Sequence, residues 1–176
     1  MSLAVAISLI PVSSGCAFLG LDRSGDSKGS IELPRVGASM KDICFRDMEG
    51  ELICPCRNGA KLVLIEVFTT WCTPSVKRVA YMNRLLRNYG GFGLHVLGLS
   101  LDLAPGKVLG AFNEEMDPHY PLVTLSEDAR AGKTPLGDLN IVPMAVLIDE
   151  HCKIAKVLPG DVRQETLVNA VSLLLK

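Results

Sequence analysis

The spacing of apolar and polar positions along this chain switches repeatedly between two periods. Residues 62–68, Leu-Val-Leu-Ile-Glu-Val-Phe, form an almost unbroken apolar and β-branched run, the pattern of a strand buried on both faces. Residues 94–101 repeat it. Between them the period lengthens: Val79, Met82, Leu86 and Tyr89 fall on one helical face. Pro74 suits a first helical turn, and Gly90-Gly91 closes the segment. Residues 106–115 predict a second helix, ended before Pro118, and residues 122–125 a short strand. Residues 145–149 and 154–158 predict a hairpin. Residues 162–176 predict a closing helix with Leu167, Val171 and Leu174 toward the core. Upstream, residues 43–45 and 51–53 flank Asp47-Met48-Glu49-Gly50, a hairpin signal. Strands alternating with helices and followed by a hairpin and a helix predict an α/β sandwich.

Charge and composition narrow the partners. The chain has 176 residues, 48% of them hydrophobic, with 18 basic and 19 acidic side chains and a formal charge of -1. That is the balance of one globular domain, with no basic run to hold nucleic acid. The first residues change the picture. Leu3 to Val12 is an apolar run too short to cross a bilayer, which takes about 20 residues, but suited to the core of a signal peptide. Ser13-Ser14-Gly15 then precede Cys16, like the small residues before the lipidated cysteine of a bacterial lipoprotein. Residues 1–16 are therefore expected to be a signal and Cys16 a lipid-bearing residue. Residues 17–37, rich in Gly, Ser and charge, are expected to be a flexible tether, and residues 38–176 the folded domain. Six cysteines in a chain of this size fit an oxidising compartment.

The candidate chemistry sits where the central strand hands over to the first helix. In Trp71-Cys72-Thr73-Pro74-Ser75 a cysteine is placed at a helix N-terminus, where the helix dipole and unpaired backbone N–H groups favour the thiolate. Its thiol is expected to titrate below the ordinary value of about 8.5, with a partly exposed sulfur. Ser75, one turn on, is a candidate hydrogen-bond donor to that sulfur. Glu66, alone among apolar strand neighbours, is either a buried acid that exchanges a proton with the thiol or a glutamate at a sheet surface, paired with a lysine or with water.

The segment Trp71-Cys72-Thr73-Pro74-Ser75 resembles the thioredoxin active-site motif Trp-Cys-x-Pro-Cys with its second cysteine replaced by Ser75. The order of features extends the resemblance over residues 38–176. Strand 64–68 runs into the motif, and Val96-Leu97-Gly98-Leu99-Ser100-Leu101-Asp102 forms the next strand. Ile141-Val142-Pro143 stands before strand 145–149, and Gly160 before a last helix. The chain is similar to the TlpA/ResA group of membrane-anchored bacterial thiol-disulfide oxidoreductases. This implies a thioredoxin-like three-layer α/β/α sandwich with a mixed central sheet and an N-terminal β-hairpin. It implies a cis bond before Pro143 facing Cys72, with Val142, Pro143, Trp71 and Pro74 lining a peptide-binding surface. The implied partners are protein thiols and disulfides of the cell envelope, and no cofactor or metal is called for.

The other cysteines are placed by strand length. Strand 62–68 spans about 25 Å, so Cys54 and Cys56 enter at the end away from Cys72. The strand leaving Pro143 runs antiparallel in this fold and carries Cys152 to the same end. A disulfide of Cys152 with Cys54 or Cys56 is expected there; with His151 these thiols also make a soft metal-ligand set. None of them is expected to reach Cys72. The leading reading is exchange through Cys72 alone, with mixed disulfides resolved from outside. A redox-inactive peptide-binding module and a one-cysteine thiol peroxidase are the alternatives.

Overall fold

The structure is a computed structural model that describes residues 16–17, 33–57 and 59–176. The signal, its cleavage site and most of the tether lie outside the described residues. Two sheets are formed. The larger has seven strands in the order β3-β2-β6-β5-β4-β8-β9: β2 (Phe45–Asp47), β3 (Leu52–Ile53), β4 (Leu62–Phe68), β5 (Leu94–Ser100), β6 (Leu122–Thr124), β8 (Met144–Asp149) and β9 (Ile154–Pro159). The smaller pairs β1 (Cys16–Ala17) with β7 (Ile141–Val142). Among the described residues four α-helices accompany them: α1 (Thr73–Tyr89), α2 (Pro105–Met116), α3 (Glu127–Arg130) and α4 (Gln164–Leu174). None of the described helices is long and apolar enough to cross a membrane.

β4 lies inside the sheet, parallel to β5 and antiparallel to β8, and all seven of its residues are buried. That accounts for its continuous apolar sequence, since both faces are covered. Leu62, Leu64 and Phe68 meet Val79, Met82 and Leu85 of α1, Phe112 of α2 and Leu167 and Val171 of α4 in one core. Phe68 and Phe112 stack with ring centroids 5.2 Å apart. Val63, Ile65 and Val67 point the other way, into a second core with Met40, Leu136, Val142 and Cys72.

The two helical layers are unequal for a topological reason. The steps from β4 to β5 and from β5 to β6 run in the same direction across the sheet, through α1 and α2. Right-handed crossovers then place both helices on one face. The opposite face is covered by the segment around Met40, by Leu136 and by the single turn of α3. Gly98 is required where β5 passes β6: a Cβ there would meet Leu122 Cδ2 at 2.8 Å.

Every strand and helix read from the hydrophobic period is present within a residue or two. Three short elements were not read from it: β1, α3 and β7. β1 also alters the expected tether, because its Ala17 pairs with Ile141 of β7.

Candidate active site

The motif turn is built by the ends of two strands. Cys72 is the N-cap of α1, with φ -87° and ψ 107° and no side-chain cap, and Pro74 is in the first turn. Its carbonyl accepts from Val76 N at 3.1 Å, which starts the helix. The preceding residues are tied to β5. Asp102, just past that strand and buried, accepts from Thr70 N at 3.1 Å and from Thr70 Oγ1 at 3.0 Å. Ser100 Oγ donates to the same carboxylate at 2.9 Å. Arg130 of α3 reaches back to the Asp102 carbonyl at 3.2 Å. Asp102 therefore fixes the turn that presents Trp71 and Cys72. Sequence reasoning took Asp102 only as part of a strand pattern; the available signal was an acid at the C-terminal end of a buried parallel strand, beside the motif.

Facing Cys72 is the backbone of β7. The Val142–Pro143 peptide bond is cis, as the feature order implied. Cys72 Sγ lies 3.8 Å from the Val142 carbonyl oxygen. Cys72 is itself in a disulfide, so that approach is a contact rather than a donated hydrogen bond. The sulfur is fully buried, against the expectation of partial exposure. The physical reason is its place in the second core, packed with Val142 and Met144, in an oxidised state.

Ser75 is also buried, and its hydroxyl makes no hydrogen bond to the sulfur or to any other described residue. The expected donation fails in this state because a disulfide sulfur carries no thiolate charge to attract it. Trp71 is about half exposed, as is Leu103 more fully, leaving two apolar side chains on the surface at this end of the sheet. Pro74 is half-buried beside them.

Glu66 is not placed with that surface. It sits on β4 between Gly98 and Ala145 and shares its side of the strand with Leu64 and Phe68, facing the helices. Arg78 Nη2 of α1 approaches Glu66 Oε2 to 3.0 Å. The angle is outside hydrogen-bond geometry, so both carboxylate oxygens lack a donated bond and the contact is one of charge alone. Arg78 Nη1 donates to Gly160 O at 3.2 Å. Burial pushes the Glu66 carboxyl up to about 7, against the pull of Arg78 and with a small push from Asp161. The Tyr120 phenol is raised too, by burial first and then by Glu66. Glu66 is thus buried rather than at a sheet surface, with Arg78 as its charged neighbour.

At the opposite end of the sheet Leu62 pairs with Asp149, and the chain segments beyond them carry Cys56 and Cys152, while Cys44 and Cys54 flank the β2–β3 hairpin. Cys56 and Cys152 form a disulfide, one of the two pairings the antiparallel geometry left open. Cys44 and Cys54 form another, a pairing the sequence did not predict. These four pair among themselves, and none of them is bonded to Cys72.

No protein-family model matches the chain. Among curated proteins, the thiol-disulfide oxidoreductase ResA of Geobacillus thermodenitrificans is 26% identical over 132 residues, 75% of this chain and 74% of that protein. Among solved structures, the thioredoxin domain of a thiol-disulfide oxidoreductase from Bacteroides vulgatus matches with a TM-score of 0.66 at 19% identity, covering 84% of this chain and 100% of that one. Peroxidoxin BcpB of Mycobacterium tuberculosis matches with a TM-score of 0.64 at 16% identity, covering 82% of this chain and 97% of that one. At such identities the solved structures establish the fold alone, and the fold is shared by thiol exchange and peroxide chemistry. The mixed sheet, the cysteine at the head of α1 and the cis-proline opposite it define a thioredoxin-like protein. The chain is a homologue of the ResA-type thiol-disulfide oxidoreductases.

Proposed function

We propose that the protein exchanges thiols and disulfides with other proteins of the cell envelope, using Cys72 as its nucleophile. The observation that carries this reading is the placement of Cys72 Sγ at the head of α1, 3.8 Å from the carbonyl of Val142 and next to a cis-proline. The helix terminus lowers the cost of a thiolate. The edge of β7 offers backbone groups to an extended peptide. Trp71 and Leu103 supply an exposed apolar surface beside it. Ser75, buried and without a hydrogen-bond partner, is the donor available to the sulfur once it becomes a thiolate. Position 75 offers no thiol, so the mixed disulfide is resolved by a sulfur from outside the motif turn. The disulfides Cys44–Cys54 and Cys56–Cys152 support an oxidising compartment, and with it export. Lipid attachment at Cys16 belongs to the same picture only for molecules in which that sulfur takes no part in a disulfide.

The test is insulin reduction in the presence of dithiothreitol, alongside trapping of mixed disulfides from an envelope extract. Wild type is expected to form mixed disulfides, and Cys72→Ser is expected to lose them and at least 100-fold in exchange rate, because no other described cysteine stands at the N-terminus of an α-helix. Equal rates for the two proteins would end the proposal. Consumption of hydrogen peroxide by Cys72 at a rate above its exchange rate would favour the peroxidase reading instead.

A further inference from the structure

The sulfur from outside the motif turn has one candidate in this chain. Cys72 is in a disulfide, and no described cysteine is free. Cys44 is bonded to Cys54 and Cys56 to Cys152. The chain has six cysteines, and the sixth is Cys16. Independently of that elimination, the backbone brings Cys16 to the site. β1 pairs antiparallel with β7, and the residue opposite Cys16 is Val142, whose carbonyl oxygen is the atom 3.8 Å from Cys72 Sγ. A two-residue strand far upstream in sequence thus lies on the strand edge before the cis-proline, beside the buried nucleophile.

We propose that Cys16 is the resolving cysteine of this protein, and that β1 occupies the peptide edge of β7 in the oxidised state. This rests on Cys72 being the exchanging nucleophile. In the reducing direction, the Cys72 thiolate attacks a protein disulfide. A Cys72–substrate bond forms, the substrate disulfide breaks, and the first substrate sulfur leaves as a thiolate and takes a proton. The Cys16 thiolate then attacks Cys72 Sγ. The Cys16–Cys72 bond forms, the mixed disulfide breaks, and the second substrate sulfur leaves. Two thiols of this protein have been oxidised and one substrate disulfide reduced, a two-electron exchange. A protein dithiol drives the cycle in reverse. The effective concentration of a tethered thiol makes the resolving step intramolecular, which is what the second cysteine of a two-cysteine motif otherwise provides.

The geometry also ties redox state to access. In the oxidised form Cys72 is fully buried, and the β7 edge is paired with β1 rather than open to a substrate. Reduction frees β1 from its covalent link, so substrate peptide and β1 compete for one edge. A thioether lipid on Cys16 and a disulfide from Cys16 exclude each other, since a sulfur cannot hold both.

The experiment is peptide mapping of the full oxidised chain without reductant, followed by kinetics. Trypsin separates the cysteines of interest: Cys16 lies before Arg23, Cys72 between Lys61 and Lys77, and Cys152 between Lys133 and Lys153. A linked pair carrying Cys16 and Cys72 is expected. Cys16→Ser is expected to alkylate at Cys72 with iodoacetamide before any reductant is added, and wild type only after reduction. With an insulin disulfide as substrate, Cys16→Ser should accumulate the Cys72 mixed disulfide and turn over at least ten-fold more slowly than wild type. Cys16 found as a lipid thioether or a free thiol, or a Cys16→Ser variant that turns over like wild type, overturns the inference while leaving Cys72 as nucleophile. If the Cys16–Cys72 link is present but Cys72→Ser exchanges as fast as wild type, the functional proposal itself falls, and the resolving role with it.

Discussion

The two ends of the central sheet hold disulfides of different character. At the far end, Cys56–Cys152 joins residues 96 apart in sequence, and at the β2–β3 hairpin Cys44–Cys54 joins residues 10 apart. Cys56–Cys152 lies where β4 begins and β8 ends, Cys44–Cys54 flanks the open end of the β2–β3 hairpin, and neither sits at the head of an α-helix or beside the cis-proline. At the near end, Cys72 caps α1, touches the Val142 carbonyl and sits in the second core. The lesson is that a disulfide's role follows from what surrounds its sulfurs. A pair that closes a long loop between strand ends restricts the unfolded chain. A cysteine whose thiolate is favoured by a helix terminus, beside a backbone edge that accepts peptide, is arranged to open and close again.

The sharpest way to break that contrast is at the far end. Replacing both Cys56 and Cys152 with Ser should destabilise the domain by about 4–5 kcal/mol, the loop-entropy cost for a closure of this length. Exchange at Cys72 should change by less than about two-fold, because the two ends are separated by the length of β4, on the order of 25 Å. Urea unfolding followed by tryptophan fluorescence reads the first quantity, and insulin turnover the second. A parallel collapse of turnover under conditions where the variant is folded would mean that the two ends work as one device.

How much of this could be read from the sequence depended on the range of the signal. β4 and α1 were legible because their periods repeat over seven and seventeen residues. The turn between them was legible because Trp71, Cys72 and Pro74 stand at fixed spacing. That Cys152 pairs with Cys54 or Cys56 followed from strand direction; which of the two did not. β1 was not legible: two residues carry no period, and their partner lies more than a hundred positions away. Cys16 could therefore be read only through its small neighbours, as a lipid site. Cys44 was missed for a related reason, since it stands beside the hairpin β2–β3 and nothing in the sequence tells whether it or Cys152 takes Cys54. The uneven helical layers follow from the order of strands, a property of pairing that no local pattern records.

Glu66 sharpens the comparison from the interior. Its folded carboxyl titrates near 7, above the ordinary 4.5, with burial as the main cause. Between these values the folded state binds more protons than the unfolded state. The stability this group contributes is fully present below pH 4.5 and is lost as pH rises through about 7. The loss is on the order of 3 kcal/mol for a shift of this size. Glu66→Gln, which cannot titrate, should flatten that part of the stability curve between pH 5 and 8. The pH dependence of alkylation at reduced Cys72 should keep its midpoint if Glu66 serves only Arg78. A midpoint that moves by a unit or more would tie the buried acid to the thiol and restore the proton-exchange reading.

Asp102 gives the smallest expected effect and the most local one. Its carboxylate accepts from Thr70 N, Thr70 Oγ1 and Ser100 Oγ. Asp102→Asn keeps the volume and one acceptor oxygen but replaces the other with a donor, which faces donors already in place. A cost of about 1–2 kcal/mol is expected for the bonds weakened, well below that of the far-end disulfide. The difference should appear in kinetics. Asp102 holds the turn before Cys72, so loosening it should change the rate of Cys72 alkylation in the reduced protein several-fold, while the Cys56, Cys152 double variant leaves that rate alone. Equal alkylation rates in wild type and Asp102→Asn would mean that α1 and β7 alone position the sulfur, and that Asp102 belongs with the staples of the far end as a support for the fold.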